Sequence, residues 1–441
     1  MTKSIAHCAS HRSGPLTGTV RTPGDKSISH RAMIFGAMAD GTTEVTGLLE
    51  GADILSTASV MSALGAKITN TGPDAYSIEG CGPAGLQTPN VELDCGNAGT
   101  GVRLIMGACA GYDMKATFSG DASLSSRPMN RILDPLREMG ITATAQEGGR
   151  LPVTLESNGA LQPLTYTPPV ASAQVKSAIL LAGLNSTGTT TITEPIPTRD
   201  HTENMLRAFG AKVDVSKKNG ADVIRLTGPV ALKATTVNVP GDPSSAAFLI
   251  VAALITPGSD ILVENVMMNP TRTGLFDCLT EMGGHLRPDN FRKSGGEIIA
   301  DIHVKYSKLH GITVPPERAA SMIDEYPVLA VAAANATGTT LMDDIGELRV
   351  KESDRITATH DLLAINGVTV EELENGLKVT GGKIAGGGTV ITHHDHRIAM
   401  SALILGLTAQ LPVAIDDAAM IATSFPSFFD LMTSLGADIR S

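Results

Sequence analysis

The residues best suited to chemistry come in short polar clusters, each set just ahead of an apolar run. The first, Pro23-Gly24-Asp25-Lys26-Ser27-Ile28-Ser29-His30-Arg31, crowds cations, hydroxyls and a carboxylate together. Ile28, Ala32, Phe35 and Ala39 follow at helical spacing, so Lys26 and Ser27 fall at a helix N-terminus. Free backbone N–H groups and the positive end of the helix dipole suit an anion there. Arg31, one turn beyond Ser27, can lean back to the same place. Comparable clusters are Gly96-Asn97-Ala98-Gly99-Thr100, Ser172-Ala173-Gln174, Asp242-Pro243-Ser244-Ser245, Asp324-Glu325 and Asp395-His396-Arg397. Further cations, Arg127, Arg199, Lys351 and Arg355, lie nearby in sequence. Arginine grips a phosphate or carboxylate with two parallel hydrogen bonds. Any one cluster reads equally well as a capped helix with solvated charges. The recurrence is what points to an anionic ligand.

The elements that position these clusters repeat six times. An Ala-rich apolar helix pattern occupies Ile28–Gly41, Gly101–Gly111, Val175–Gly188, Ser245–Gly258, Tyr326–Gly338 and Arg397–Gln410. Its first five closing glycines are 70 to 80 residues apart. A second helix pattern ends at Gly65, Gly140, Gly210, Gly283, Gly367 and Gly436, at intervals of 69 to 84 residues. Each of these glycines is placed as a helix C-cap before a β-like run. Short β-branched runs such as Glu44–Leu48, Thr189–Thr193 and Asp260–Val266 lie between the helices. Two markers keeping one period predict six α/β units, too long for common solenoids. Two globular halves of three units fit better. Pro240-Gly241-Asp242 repeats Pro23-Gly24-Asp25, so the second half restarts there. The expected domains are residues 23–239 and residues 1–22 plus 240–441, with two chain crossings and a cleft lined by helix N-termini.

The totals narrow the class of function. At 441 residues the chain is long enough for two domains. A net charge of −11 argues against a general nucleic-acid or membrane-surface binder, and 3% aromatics with no Trp argues against base-stacking platforms. Cys8, Cys81, Cys95, Cys109 and Cys278 are odd in number and none forms a C-x-x-C pair, which points to a reducing compartment. No signal-peptide pattern is read in Met1 to Ser13, and the longest clean apolar run, Ala246 to Ile255, is too short to span a bilayer. A cytoplasmic protein is expected. Gly80-Cys81-Gly82-Pro83-Ala84-Gly85 matches the dinucleotide fingerprint by letter, but Leu-Gln-Thr-Pro follows instead of a helix. His393-His394-Asp395-His396 has no second ligand cluster, so no metal is expected.

Together these residues resemble the 5-enolpyruvylshikimate-3-phosphate synthase family over nearly the whole chain. The matching stretches are Gly24–Arg31, Gly96–Thr100, Arg127-Pro128-Met129, Ser172–Ser177, Gly241–Ser245, Asp324-Glu325-Tyr326-Pro327, Arg349–Arg355 and Asp395–Met400. The resemblance implies an α/β fold of two domains, each of three βαβαββ units arranged as an inside-out α/β barrel, with the active site in the interdomain cleft. It implies transfer of the enolpyruvyl group of phosphoenolpyruvate to the 5-hydroxyl of shikimate 3-phosphate, with release of phosphate and without metal or cofactor. A monomer is expected. By the same resemblance Lys26, Ser27, Arg31, Ser172, Ala173, Gln174, Arg199, Asp324 and Lys351 hold shikimate 3-phosphate. Lys26, Gly99, Arg127, Gln174, Arg355 and Arg397 surround phosphoenolpyruvate. Asp324, Glu352 and Lys26 are the catalytic candidates, Asp324 as base at the hydroxyl and Glu352 as the partner of the methylene carbon.

Two features resemble the second, bacterial class of these synthases: Thr423 before Ser424-Phe425-Pro426 where many members carry Lys, and Ser172-Ala173 in place of Ser-Ser. Glyphosate-tolerant members of that class tend to carry Ala where this chain has Gly99, so inhibition by glyphosate is expected. Three rival readings fit the residues less well. The sister transferase acting on UDP-N-acetylglucosamine has Lys-Asn in place of Lys26-Ser27 and a loop Cys that Ser119–Arg127 lacks. RNA 3′-phosphate cyclase shares the repeat unit but fits the acidic, aromatic-poor composition badly. A non-catalytic anion-binding scaffold would bind without turnover.

Overall fold

The computed structural model describes residues 8–440. The sequence reading of Met1 to Ser13 as lacking a leader therefore lies partly outside the described residues.

Six helices are buried on nearly every side: Lys26–Met38, Gly99–Ala110, Ala173–Gly183, Pro243–Ile255, Tyr326–Ala334 and His396–Gly406. A helix that is apolar all round has no face to give to water. Every residue of Pro243–Ile255 and of Tyr326–Ala334 is buried. The sheets carry the two-faced pattern instead. In Asp113–Ser119, Met114, Ala116 and Phe118 point inward while Asp113 and Lys115 are exposed. Helices form the interior and sheets the exterior of each compact unit.

One unit comprises Gly24–Val239 with Ser294–Glu297, and the other the chain up to Pro23, Pro240–Lys293 and everything from Ile298. Where two crossings were expected, the chain changes unit four times, because the turn Ser294–Glu297 groups apart from the strands that flank it. The first unit contains three four-stranded sheets of one design. A short edge strand runs parallel to the strand that follows the buried helix, and a β-hairpin continues the sheet antiparallel. The orders are Leu93–Asp94, Asp113–Ser119, Arg150–Asn158, Thr142–Gln146, and Thr165–Tyr166, Gly188–Glu194, Ala221–Gly228, Val213–Lys218. In the third sheet the edge strand Thr236–Asn238 comes from the end of the unit and pairs with Thr42–Thr46 near its start, Val237 opposite Val45. Circular closure of this kind lets three repeats share one core.

The other unit holds two four-stranded sheets and one of three strands. Its first sheet recruits Cys8–Ser10 against Val413–Ile415, and its second recruits Thr17–Arg21 parallel to Asp260–Met267. The N-terminal segment thus completes sheets made mostly from the last 200 or so residues. The six glycines predicted to end the second helices all have positive φ, from 78° at Gly367 to 120° at Gly140.

The repeated Pro-Gly-Asp has a steric and a capping explanation. Asp25 and Asp242 each cap the following helix, accepting from Ile28 N at 2.7 Å and from Ser244 N at 2.8 Å. A Cβ on Gly24 would lie 1.9 Å from the Gly47 carbonyl oxygen, so only glycine fits there.

Helix Gly99–Ala110 packs on helix Ala173–Gly183 at Gly107, where a Cβ would stand 2.4 Å from Ala178 O and 2.6 Å from Ala178 Cα. Both atoms are backbone and cannot swing aside. Gly107→Ala should therefore destabilise the chain by about 2 kcal/mol, the usual cost of overpacking a core. Gly14→Ala, with open space around it, is the control. Denaturant midpoints for the two variants check this, and equal midpoints would refute the close-packing argument.

Candidate functional site

The six polar clusters occupy the N-terminal ends of the six buried helices. Lys26 and Gly99 are first residues of their helices, Ser172 caps Ala173–Gly183, Asp242 caps Pro243–Ile255, Glu325 precedes Tyr326–Ala334, and Asp395 caps His396–Gly406. A largely apolar helix carries charge most readily near its N-terminus, where free N–H groups and the helix dipole want polar partners, which is why capping and charge share these residues.

In the unit containing Gly24–Val239, Lys26 Nζ is 2.5 Å from Asp53 Oδ2, and Ser27 is half-buried beside it. Arg31 is only 2% exposed. Its Nη1 donates to Ser27 O at 3.0 Å, Nε to Thr202 Oγ1 at 2.8 Å and Nη2 to Ser177 Oγ at 2.9 Å. Burial pushes Arg31 down to about 10, which leaves it charged at neutral pH. Arg199 is half-buried and near enough for the two cations to repel. Lys176 lies beneath, with Glu194 and Glu203 each at 2.8 Å. Burial alone would discharge Lys176, but the two carboxylates reverse that and raise its pKa.

A second group surrounds Gly99. Gln174 Nε2 donates to Thr100 Oγ1 at 3.0 Å, and its Oε1 accepts from Arg103 Nη1 at 3.1 Å. The same nitrogen donates to Gly99 O at 3.1 Å. Arg127 Nη2 donates to Asn97 Oδ1 at 3.2 Å and Ser123 Oγ at 3.1 Å. A methyl on Gly99 would sit 3.2 Å from Nη1 of both Arg103 and Arg127. Burial, then Arg127 and Arg131, lower the Arg103 pKa to about 10. Gly99, Arg127 and Gln174 are thus drawn together, with Ser172 and Ala173 at the start of the same helix as Gln174.

In the other unit, charge concentrates on Arg355. Its guanidinium is 1% exposed. Nε meets Asp395 Oδ2 at 2.8 Å, Nη1 meets Asp324 Oδ1 at 3.1 Å and Nη2 meets Glu352 Oε2 at 2.5 Å. Burial works to discharge Arg355, and the carboxylates overcome it and raise its pKa. Partial burial pushes the Glu352 carboxyl up, but Arg355 and then His396 outweigh it and hold it at about 2. His396 is pushed down to about 3 by burial and then by Arg397, so it is neutral at pH 7. Asp395 both binds Arg355 and caps its helix through Arg397 N at 2.9 Å. Arg397 Nη1 donates to Asp324 O at 3.0 Å. Asp324, Glu352, Arg355 and Arg397 therefore form one cluster. Lys351 does not join it: its ammonium is paired with Glu347 at 2.8 Å.

Sequence reasoning missed Asp53, Arg103 and the supporting role of Asp395. Arg103 carried a signal, since it lies four residues from Gly99 and so on the same helix face. Asp53 carried none, because its approach to Lys26 is tertiary. Among the described residues, Asp200, His201 and Glu297 bring possible metal-ligand atoms within 4.8 Å of one another. His201 Nδ1 is already 2.9 Å from Glu297 Oε1, and both carboxylates have further protein partners. His393 and His394 adopt positive φ on an exposed turn and join no such group. Gly80–Gly85 leads into a short 3₁₀ turn, Gly82–Ala84, with no helix after it.

The family model described as EPSP synthase (3-phosphoshikimate 1-carboxyvinyltransferase) matches residues 11–432. A 3-phosphoshikimate 1-carboxyvinyltransferase of Parvibaculum lavamentivorans is 58% identical over 98% of this chain and 97% of its own. One of Phenylobacterium zucineum is 56% identical over 99% and 96%. The structure of EPSP synthase from Acinetobacter baumannii superposes with a TM-score of 0.90 at 44% identity, covering 98% of this chain and 99% of that one. The enolpyruvyl transferase NikO from Streptomyces tendae shares the fold, with a TM-score of 0.76 at 20% identity and 98% of each chain covered. With buried helices whose N-termini gather cations and carboxylates, and with these matches across its length, the chain belongs to the EPSP synthase (3-phosphoshikimate 1-carboxyvinyltransferase) family of transferases.

Proposed function

We propose that this chain transfers the enolpyruvyl group of phosphoenolpyruvate to the 5-hydroxyl of shikimate 3-phosphate by addition and elimination, with substrate-holding groups drawn from the polar clusters of each unit. The observation that carries the reading is the convergence of Asp324 and Glu352 on the Arg355 guanidinium. Lys26, Ser27, Arg31, Ser172, Ala173, Gln174, Arg199, Asp324 and Lys351 hold shikimate 3-phosphate. Within that set Arg31 acts through the Ser27 carbonyl that it grips. Lys26, Gly99, Arg127, Gln174, Arg355 and Arg397 hold phosphoenolpyruvate. Two polyanions brought together on an acidic protein need this density of cations.

In the addition step the hydroxyl oxygen bonds to C2 of phosphoenolpyruvate, Asp324 takes the hydroxyl proton, and the methylene carbon gains a proton to become methyl. In the elimination step the methyl loses a proton, the C2–O bond to phosphate breaks, and phosphate leaves with the proton it needs. Each step wants one acid and one base, and the second reverses the first. Glu352, held at about 2, starts as a carboxylate. A substrate carboxylate arriving at Arg355 competes with Glu352 for the same guanidinium. Losing that counter-charge raises the affinity of Glu352 for a proton, which is what an acid at carbon requires. Lys26, paired with Asp53 and partly exposed, is the third group that can exchange protons near the substrates.

Phosphate release by the purified chain with both substrates tests the reading. Asp324→Ala should lower the rate by about a hundredfold or more, the usual scale of a lost general base. No release with shikimate 3-phosphate, or equal release with UDP-N-acetylglucosamine, would overturn it.

We also assign the chain to the second, bacterial class of the family and propose that it works as a monomer in the cytoplasm, where its five free thiols stay reduced. No described helix is long and apolar enough to cross a membrane. Glyphosate, a slightly longer mimic of phosphoenolpyruvate, would use the space beside Gly99. Gly99→Ala places a methyl against Arg103 and Arg127 and should raise the inhibition constant about tenfold or more, the scale of one methyl in a tight pocket. Equal inhibition constants for the two proteins would sink the idea.

A further inference from the structure

Arg397 is held from behind by a buried chain of alternating charge. Its Nη1 bonds the Asp324 carbonyl at 3.0 Å and reaches Glu325 Oε1 at 3.4 Å. Its Nε and Nη2 bond none of the described residues, so that edge of the guanidinium stays uncommitted. Glu325 is 3% exposed, and its Oε1 also accepts a short hydrogen bond from Ser244 Oγ. Ser244 Oγ accepts from Arg272 Nη2 at 2.9 Å, and the same nitrogen donates to Asp242 Oδ1 at 2.9 Å. Arg272 is itself buried. All six residues belong to one unit.

Helix capping does not account for Glu325. It directly precedes Tyr326–Ala334, yet its side chain makes no capping bond. Instead the carboxylate is buried and, among the described residues, forms its ion pair with Arg397. Its second oxygen, Oε2, meets no partner there. A buried carboxylate engaged through one oxygen is costly unless a cation faces it. Arg397 is that cation, and a long arginine side chain needs such a partner to keep one orientation.

We infer that Glu325 is a positioning residue for Arg397, with Ser244 and Arg272 as its support. Two contacts on Nη1 fix the guanidinium plane and leave the Nε–Nη2 edge, the edge that grips a carboxylate or phosphate with two parallel bonds, to a ligand. The dipeptide Asp324-Glu325 then sets both cations of the cluster: the Asp324 carboxylate holds Arg355, while the Asp324 carbonyl and the Glu325 carboxylate hold Arg397.

The inference rests on the reading that Arg397 faces phosphoenolpyruvate, so the test varies each substrate separately in the full chain. Glu325→Ala should raise KM for phosphoenolpyruvate about tenfold or more, the scale of a lost charge-assisted contact, while kcat and KM for shikimate 3-phosphate stay within about threefold. Glu325→Gln, which keeps an acceptor for Ser244 and Arg397, should recover most of the loss. A merely structural role would instead lower kcat and raise both KM values together, and that outcome overturns the inference, as does an unchanged KM for phosphoenolpyruvate. If Glu325→Ala is not recovered folded, Ser244→Ala decides: a KM shift confined to phosphoenolpyruvate supports the inference and none overturns it. Absence of turnover in the unaltered chain would sink the functional reading and this inference with it. Normal turnover in that chain with unmoved variants sinks the inference alone.

Discussion

Near-complete burial of six helices is the constraint on which the rest depends. A helix with almost no solvent face takes polar side chains most easily near its ends, where its backbone also needs them, and a deeper one such as Arg31 only with a partner for each guanidinium nitrogen. The carboxylates of Asp25, Asp242 and Asp395 satisfy free N–H groups, and the Ser172 hydroxyl does the same. Cations then gather where those termini open. Lys26, Gln174 with Arg103, and Arg397 all stand within a turn or so of a helix start. The fold concentrates charge without any long-range design beyond repetition.

Arg355 shows what such concentration requires. A guanidinium that is 1% exposed would be strongly destabilising alone. Asp395, itself fully buried, supplies the permanent counter-charge, since it accepts from Arg355 and caps a helix at once. Asp324 and Glu352 complete the set from the more open side. One cation thereby holds two carboxylates near each other and keeps Glu352 ionised, although the charge of Asp324 beside it pushes the other way. Lys176 between Glu194 and Glu203 is the corresponding closed case, where two buried carboxylates keep a buried lysine charged.

Glycine plays two parts that are easily confused. The glycines at the ends of the second helices, such as Gly140 and Gly367, are needed for their backbone conformation. Gly24 and Gly107 are needed for space, since backbone of another segment occupies the position of a Cβ. Gly99 belongs to neither group. The atoms nearest a Cβ there are the tips of two arginines and a leucine, side chains that can move.

The periodic markers were legible because helix length, capping and apolar pattern are local properties. The Gly-terminated helices, their six-fold repetition and the placing of Lys26, Gly99, Asp324 and Arg397 near helix starts follow from spacing within a few residues. Family resemblance added the reaction. Contacts across repeats were beyond such reasoning. Nothing in the spacing says that Asp53 meets Lys26, that Arg31 spends its three nitrogens on Ser27, Thr202 and Ser177, or that Glu325 turns from its own helix to Arg397. Nor does it say that Ser294–Glu297 groups away from its flanking strands. By itself the sequence determined where most of the charge would reside, since an apolar helix admits polar groups most readily near its ends. Tertiary structure alone decided which charges meet, because pairing depends on distances between segments that local periodicity does not encode.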